Sequence, residues 1–327
     1  MKLCKFAFCI LGTILCLPAQ FFAQSAMQQG QGQAVLTVSA KSGDAEPASL
    51  TPQNLQIKVG GRPAVVTGLK ALRGSANRLE LVVLMDSAAR TSLGGQLSEL
   101  TQFVQETPSG TKIAIAYMEN GQARLATPLT SDPAEAQKGI HLPMGSQGSS
   151  ASPYFCLSDL AQHWPSQDKG ARREVLMITD GVDPYNPRFD ADDTYMRAAI
   201  EDAVRAGLVV DAFYWSGKGA YDNTQMGSNA GQSLLAIVSD ATGGKSYWQG
   251  MGNPVSFGPY FDDLRHRLRS QYLLSFTAPS RGKASVEQLQ LKVTGTAAKV
   301  DAPKEVFLAP AGIMSAKREE WGRPRGD

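Results

Sequence analysis

Cysteine is scarce in this chain and unevenly placed. Three of the four, Cys4, Cys9 and Cys16, fall close to the N-terminus, which leaves Cys156 alone in the rest. A lone cysteine excludes an internal disulfide, even in a compartment that permits one. Cys156 stands within Ser152-Pro153-Tyr154-Phe155-Cys156-Leu157, where it reads as a small core hydrophobe and not as a nucleophile. Charge of one sign is also missing: the formal net charge is +2, and Lys2 and Lys5 account for it. A chain without a basic surplus is a poor partner for nucleic acid or an anionic membrane. Histidine is rare, and His141, His163 and His266 lie far apart. No Gly-x-Ser-x-Gly elbow, no His-Glu-x-x-His and no Gly-x-x-x-x-Gly-Lys-Ser/Thr phosphate loop occurs, so no familiar catalytic apparatus is spelled out. Beyond the first residues there is no apolar run long enough to span a bilayer.

What is present begins with a leader. Lys2 and Lys5 precede an apolar stretch from Phe6 to Leu17, and small residues follow at Ala23 and Ser25. That order is a secretory signal, with cleavage expected after Ala23 or Ser25. An uncleaved anchor is the alternative; a lipid-modified Cys16 fits less well, because Leu15 before it is bulky. The expected location is periplasmic or extracellular.

The chain has the hydrophobic content of a globular protein, at 43%. Gln28 to Gln33 is polar and Gly-rich and reads as a flexible start. Short β-like pieces follow, including Leu55 to Val66, where Gly60-Gly61 suits a tight hairpin and Pro63 implies an edge. From residue 77 the pattern changes to alternating strands and helices. Apolar runs at Leu79–Met85, Lys112–Met118, Glu174–Gly181 and Leu208–Tyr214 read as buried strands. Helical spacing appears in Leu93-Leu97-Leu100-Val104, in Met196-Ala199-Ile200-Ala203, in Leu234-Leu235-Val238 and in Phe261-Leu264-Leu268. Gly217 to Gly231 reads as a long polar loop. The alternation implies an α/β fold with a doubly wound, mostly parallel sheet. The expected organisation is a signal peptide at 1–23, a β-rich flank at 24–76, the α/β domain at 77–270, a second β-rich flank at 271–315 that pairs with the first, and a loose charged tail at 316–327.

Two of the apolar strands end in acids, at Asp86 and at Asp180, and a Ser-rich loop with Ser150 and Ser152 lies between them. In an open α/β sheet, ligands bind at the carboxyl ends of the strands. Carboxylates and hydroxyls from three loops are the donors that Mg²⁺ or a similar hard cation needs. Asp86 taken alone reads equally well as a strand-end acid capping the next helix.

Leu81-Val82-Val83-Leu84-Met85-Asp86-Ser87-Ala88-Ala89-Arg90, the Ser-rich loop and Met177-Ile178-Thr179-Asp180-Gly181, in that order, resemble a von Willebrand factor type A domain. The flanks resemble the bacterial von Willebrand factor A-related subgroup common in acidobacteria, so the resemblance spans nearly the whole mature chain. It implies a vWA fold, an adhesion or protein-binding role, and a metal-ion-dependent adhesion site. That site uses Asp-x-Ser-x-Ser, a Thr and an Asp. Asp86 and Asp180 match the two acids, and Ser150 or Ser152 falls near the Thr. Ala88 and Arg90 replace the two serines, so the implied site is degenerate. The metal-competent alternative uses Asp86, Ser152 and Asp180, with Ser87, Thr91 or water filling in. The reading adopted here places the Arg90 guanidinium in the vacated position, where it neutralises Asp86, Asp180 or both.

The acids after Gly181 do not match a calcium-binding loop. Asp190 or Asp192 is expected to cap the following helix, with the others solvated. The aromatics at 247–261, with Tyr154 and Phe155, are expected to pack on the core, with a recognition surface as the alternative. The functional expectation is an exported binding or scaffolding module, not an enzyme, whose partner-binding face carries Asp86, Ser87, Arg90, Ser150, Ser152 and Asp180. A hydrolase built on Asp86 and Asp180 is the alternative from another class. If Arg90 neutralises the acids, Arg90→Ser melts at a lower temperature than the parent in EDTA. Equal melting points would remove that role.

Overall fold

The computed structural model describes residues 28–40, 49–74, 77–89, 93–108, 110–143, 152–216, 225–250 and 252–310. The expected leader, the expected tail, Arg90 and Ser150 lie outside the described residues. The chain opens with three strands, β1 (Gln28–Ala40), β2 (Leu55–Val59) and β3 (Arg62–Ala71). A second group follows: β4 (Leu79–Asp86), α1 (Leu97–Gln105), β5 (Lys112–Glu119), β6 (Gln122–Leu125), α2 (Pro133–Gln137), α3 (Pro153–Gln162), β7 (Arg172–Thr179), α4 (Thr194–Ala206), β8 (Leu208–Tyr214), α5 (Gln225–Thr242), β9 (Ser246–Tyr247) and α6 (Gly258–Arg269). Four strands complete the chain: β10 (Gln271–Ser280), β11 (Ser285–Val293), β12 (Ala298–Asp301) and β13 (Glu305–Pro310).

The second group forms a six-stranded sheet in the order β6-β5-β4-β7-β8-β9. The β4–β5, β4–β7, β7–β8 and β8–β9 pairs are parallel, and only the edge strand β6 runs antiparallel. The α/β expectation thus holds, on a mixed sheet. All eight residues of β4 are buried. Val82 and Leu84 pack with Tyr154, Met196 and Leu234 from α3, α4 and α5, while Leu81, Val83 and Met85 pack with Phe103 and Phe261 from α1 and α6. A strand covered on both faces needs an unbroken apolar run, and this one has it but for Glu80.

The remaining strands form an antiparallel barrel. The order β10-β3-β2-β11-β13-β1 closes through β1 against β10, and β12 adds to the end of β1. The barrel strands alternate, as in β2, where Leu55, Ile57 and Val59 point inward. The hairpin at Gly60-Gly61 forms with both residues at positive φ. Pro63 pairs with Lys58 at a point where β10 no longer accompanies β3, so its missing N–H costs no ladder bond on that side.

Three expectations need correction. Gln28 to Gln33 is strand and not a flexible start. It pairs with β10 and β13, and its glycines face inward. A Cβ on Gly32 would stand 2.5 Å from the Phe276 ring, and one on Gly30 would stand 2.7 Å from Leu308. Glycine is needed there because large side chains fill the barrel, so the Gln-Gly alternation is a period-two strand pattern with an empty inner face. The loop expected to run to Gly231 gives way to α5 from Gln225 onward. Asp193 caps α4, accepting from the Tyr195 and Met196 amides, in place of Asp190 or Asp192. Asp190 instead accepts from the Asp192 amide within the preceding loop.

Barrel and sheet are tied by ion pairs. Arg197 on α4 grips Glu305 on β13 with two hydrogen bonds of 2.9 and 3.0 Å, and Lys304 reaches Asp240 on α5 at 2.6 Å. At the end of α5, Gly243 adopts φ +88° against Pro303, and Gly244 lets the chain lie on β8. A Cβ on Gly244 would stand 2.0 Å from the Val210 carbonyl oxygen. Because backbone cannot yield as a side chain does, Gly244→Ala should destabilise the protein by about 1–3 kcal/mol in urea titrations. An unchanged midpoint would mean that α5 and β8 can separate freely.

Candidate functional site at the carboxyl ends of the central strands

The parallel register sets Met85 opposite Ile178, so β4 and β7 deliver Asp86 and Thr179 to the same end of the sheet. The Thr179 hydroxyl donates to Asp86 Oδ2 at 2.6 Å and accepts from the Gly181 amide at 3.2 Å. Ser87 is buried and donates to the Met118 carbonyl at the end of β5, at 2.7 Å. Asp180 accepts from the Val182 amide at 2.8 Å. Its carbonyl lies against α5 so closely that a Cβ on Gly231 would stand 2.0 Å from the oxygen. Ser152 is fully buried and caps α3, accepting from the Phe155 amide at 3.4 Å. Tyr154, also fully buried, donates to the Gly181 carbonyl at 2.8 Å. Burial first, then the nearby Asp183 and Asp180, push its phenol well above its ordinary range.

The described members of the expected face, Asp86, Ser87, Ser152 and Asp180, therefore share one end of the sheet. Sequence reasoning missed Thr179, which was quoted in the motif but given no role. It also misplaced Asp183. That residue was expected in solvent, yet it is 1% exposed. Its Oδ1 accepts from the Tyr185 amide at 2.9 Å, while Oδ2 makes no hydrogen bond among the described residues. Burial raises its pKa, and the Tyr185 amide and the neighbouring Ser152 hydroxyl oppose that. The Asp-x-Tyr turn closing on its own amide two residues ahead was the available signal. Cys156 behaves as the sequence implied: burial, with Asp86 nearby, pushes its thiol up to about 12, so it stays protonated and unreactive.

These contacts bear on the metal site implied by the resemblance. Ala88 has no side-chain oxygen. The Ser87 hydroxyl proton is committed to a carbonyl, and Thr179 occupies one oxygen of Asp86. Among the described residues, no three His, Cys, Asp or Glu side chains are grouped as metal ligands. The described donors fasten three loops to the strand ends through hydroxyl and backbone partners.

Eight large apolar side chains are exposed among the described residues, and six of them, Leu142, Tyr185, Tyr195, Met226, Trp248 and Val255, lie in segments at the carboxyl end of the sheet. Val255 is 94% exposed and Met226 72%. Phe155 packs between Tyr185 and Tyr195, with ring centroids 5.1 and 5.0 Å away. The aromatics expected to pack divide: Tyr154, Tyr247, Phe257 and Phe261 are buried, while Trp248 is exposed.

No family model matches the chain, and no curated protein matches it. Among solved structures, it is similar to a von Willebrand factor type A protein from Catenulispora acidiphila, at 12% identity and a TM-score of 0.41, over 86% of this chain and 74% of that one. It is similar to BatB from Bacteroides thetaiotaomicron at 15% identity and a TM-score of 0.41, over 58% and 97%. The pilus adhesin SpaC from Lactobacillus rhamnosus GG, in its open conformation, gives 9% identity and a TM-score of 0.45, over 84% of this chain and about half of that one, 49%.

The anchoring role of Thr179 is open to test. Thr179→Val keeps the shape and removes the donor to buried Asp86, so it should cost about 1–3 kcal/mol in denaturant titrations. A cost near zero would show that Asp86 does not depend on this hydroxyl.

Proposed function

We propose that this chain is an exported, von Willebrand factor A-like binding module. It adheres to, or scaffolds, a protein or other envelope or extracellular component through the loop face at the carboxyl ends of β4, β7 and β8. The observation that carries this reading is the concentration of exposed large apolar side chains on that face. Such side chains cost free energy in water, and their clustering marks contact surfaces. The buried hydroxyl and carboxylate anchors beneath them support a preformed surface, which lowers the ordering cost of binding. The near-balanced charge supports a protein partner over nucleic acid. No described helix is long and apolar enough to cross a membrane.

Binding in this reading needs neither a divalent cation nor turnover. Melting in EDTA and in excess Mg²⁺, Mn²⁺ or Ca²⁺ should give the same midpoint. A cation at about a hundred times its dissociation constant would add roughly 2.7 kcal/mol, and a shift lost in Asp86→Ala and Asp180→Ala would restore the metal-dependent alternative. Trp248→Ala and Val255→Ser should leave the melting point in place and weaken partner capture by about tenfold or more each. Capture unaffected by both, or hydrolysis of a screened substrate that is lost in Asp86→Asn, would sink the binding reading.

A further inference from the structure

A second set of polar groups is buried at the opposite end of β7 from Thr179. Arg172 and Glu174 lie on the face of β7 that α6 covers, and Asp211 lies on the same face of β8, since Leu176 pairs with Asp211. Glu174 is fully buried, and among the described residues neither of its oxygens has a partner at hydrogen-bond geometry, although the Gln271 amide lies near enough to favour its charged form. The nearest cation is Arg172, whose Nε is 3.5 Å from Oε1 and is itself without a hydrogen bond. Arg172 is turned toward the barrel instead. Its Nη1 donates to the Leu268 carbonyl at 3.2 Å and to Gln271 Oε1, and its Nη2 donates to Asn77 Oδ1 at 3.0 Å. Leu268 belongs to the last turn of α6, and Gln271 is the first residue of β10. Arg267 makes a parallel link. It lies 3.9 Å from Asp211, donates to Asp301 on β12 at 2.7 Å, and reaches the Gly243 carbonyl at 3.4 Å.

We propose that Arg172, Glu174, Asp211 and Arg267 form a proton-sensitive latch that holds the α6–β10 joint, and with it the barrel, onto the sheet. With Glu174 neutral, no charge on it has to be buried at the joint while Arg172 holds Leu268 and Gln271 through its Nη atoms. With Glu174 ionised, a fully buried carboxylate has Arg172 Nε at 3.5 Å as its nearest cation, and its desolvation is relieved when the joint opens to water, so the grip on the joint weakens. Around the two acids lie Arg172 on β7, Arg267 and Asp263 on α6, Lys245 and Tyr247 near β9, the Gln271 amide, and Asp301 beyond Arg267. Burial pushes Glu174 up to about 7, with Arg172 opposing and Asp211 adding to the rise, and burial pushes Asp211 up to about 6. A carboxyl whose folded pKa is raised loses stabilisation as pH rises from its ordinary value of 4.5 through about 7, and the loss is complete above that. The latch is therefore closed at acidic pH and loosened at alkaline pH.

The joint has its own reporters. The Val38 amide donates to the Ser270 carbonyl and the Leu72 amide to the Gln271 carbonyl, each at 2.9 Å. Hydrogen exchange of the intact protein, corrected for the intrinsic effect of pH on exchange, should show protection at Val38 and Leu72 falling by up to about tenfold per pH unit inside that window. The amides of Val83 and Ile115 in the sheet centre should not follow. Glu174→Gln should remove the pH dependence between about 6 and 7 and reduce its slope below that, where Asp211 still titrates. Asp211→Asn, which removes the neighbouring anion that raises Glu174, should move the window to lower pH. An unchanged slope in Glu174→Gln, an unmoved window in Asp211→Asn, or an equal loss at Val83 and Ile115 would each overturn the latch.

Discussion

Burial on both faces of the central strands is the constraint on which the rest of this molecule depends. A strand covered by helices on either side has nowhere to place a polar side chain except at its ends or against another buried group. β4 obeys this, with an apolar run that terminates in Asp86 at the carboxyl end. β7 obeys it at Thr179 and departs from it at Arg172 and Glu174. The strand ends and the departure are the two places where polar chemistry is concentrated. At the first, every assigned contact fastens a loop. At the second, a carboxylate lacks hydrogen bonds among the described residues and an arginine has turned toward a different element.

The same constraint explains which parts of the fold were readable. The apolar runs of β4, β5, β7 and β8 and the helical stripes of α1, α4 and α6 are direct imprints of two-sided and one-sided burial, and they fell where the pattern put them. The barrel was harder. Its strands show alternation, but closure depends on β1 meeting β10, and no local pattern announces a pairing between Ala34 and Leu274. The Gln-Gly stretch at the start of β1 misled because glycine ordinarily marks flexibility. Here its missing side chain makes room for Phe276 and Leu308.

The candidate site was half legible for a related reason. Asp86 and Asp180 stand out because an acid after an apolar run is conspicuous. Thr179 does not, since a threonine inside a strand is ordinary until the parallel register sets it beside Asp86. Asp183 looked like one of several solvated acids, and only the packing of α3 through Ser152 and Tyr154 encloses that loop. The Arg90 position, on which the neutralisation argument turns, is legible as chemistry in the sequence alone. Thr179 supplies a partner to the acid that Arg90 was expected to balance, while Arg90 itself lies outside the described residues.

Chain connectivity gives the junction its importance. The α/β group is inserted between β3 and β10, which are neighbours in the barrel, so the barrel cannot close until the ends of the insertion are brought together. Ordering so long an intervening segment is costly when it is a flexible loop and cheap when it is already folded. The folded sheet thus acts as the clasp of the barrel. The joints at its two ends, Leu72 and Asn77 on one side and Leu268 to Gln271 on the other, must be held at a fixed separation. Arg172 touches Asn77 on the entering side and both Leu268 and Gln271 on the leaving side. One guanidinium therefore spans the gap through which the chain enters and leaves the α/β group. A buried arginine is expensive to desolvate, and hydrophobic residues of similar volume often match such groups in stability. They could not satisfy two side-chain amide oxygens and a backbone carbonyl across that gap. Glu174, the buried carboxyl beside this arginine, is by position the residue through which protonation can reach the attachment of one domain to the other.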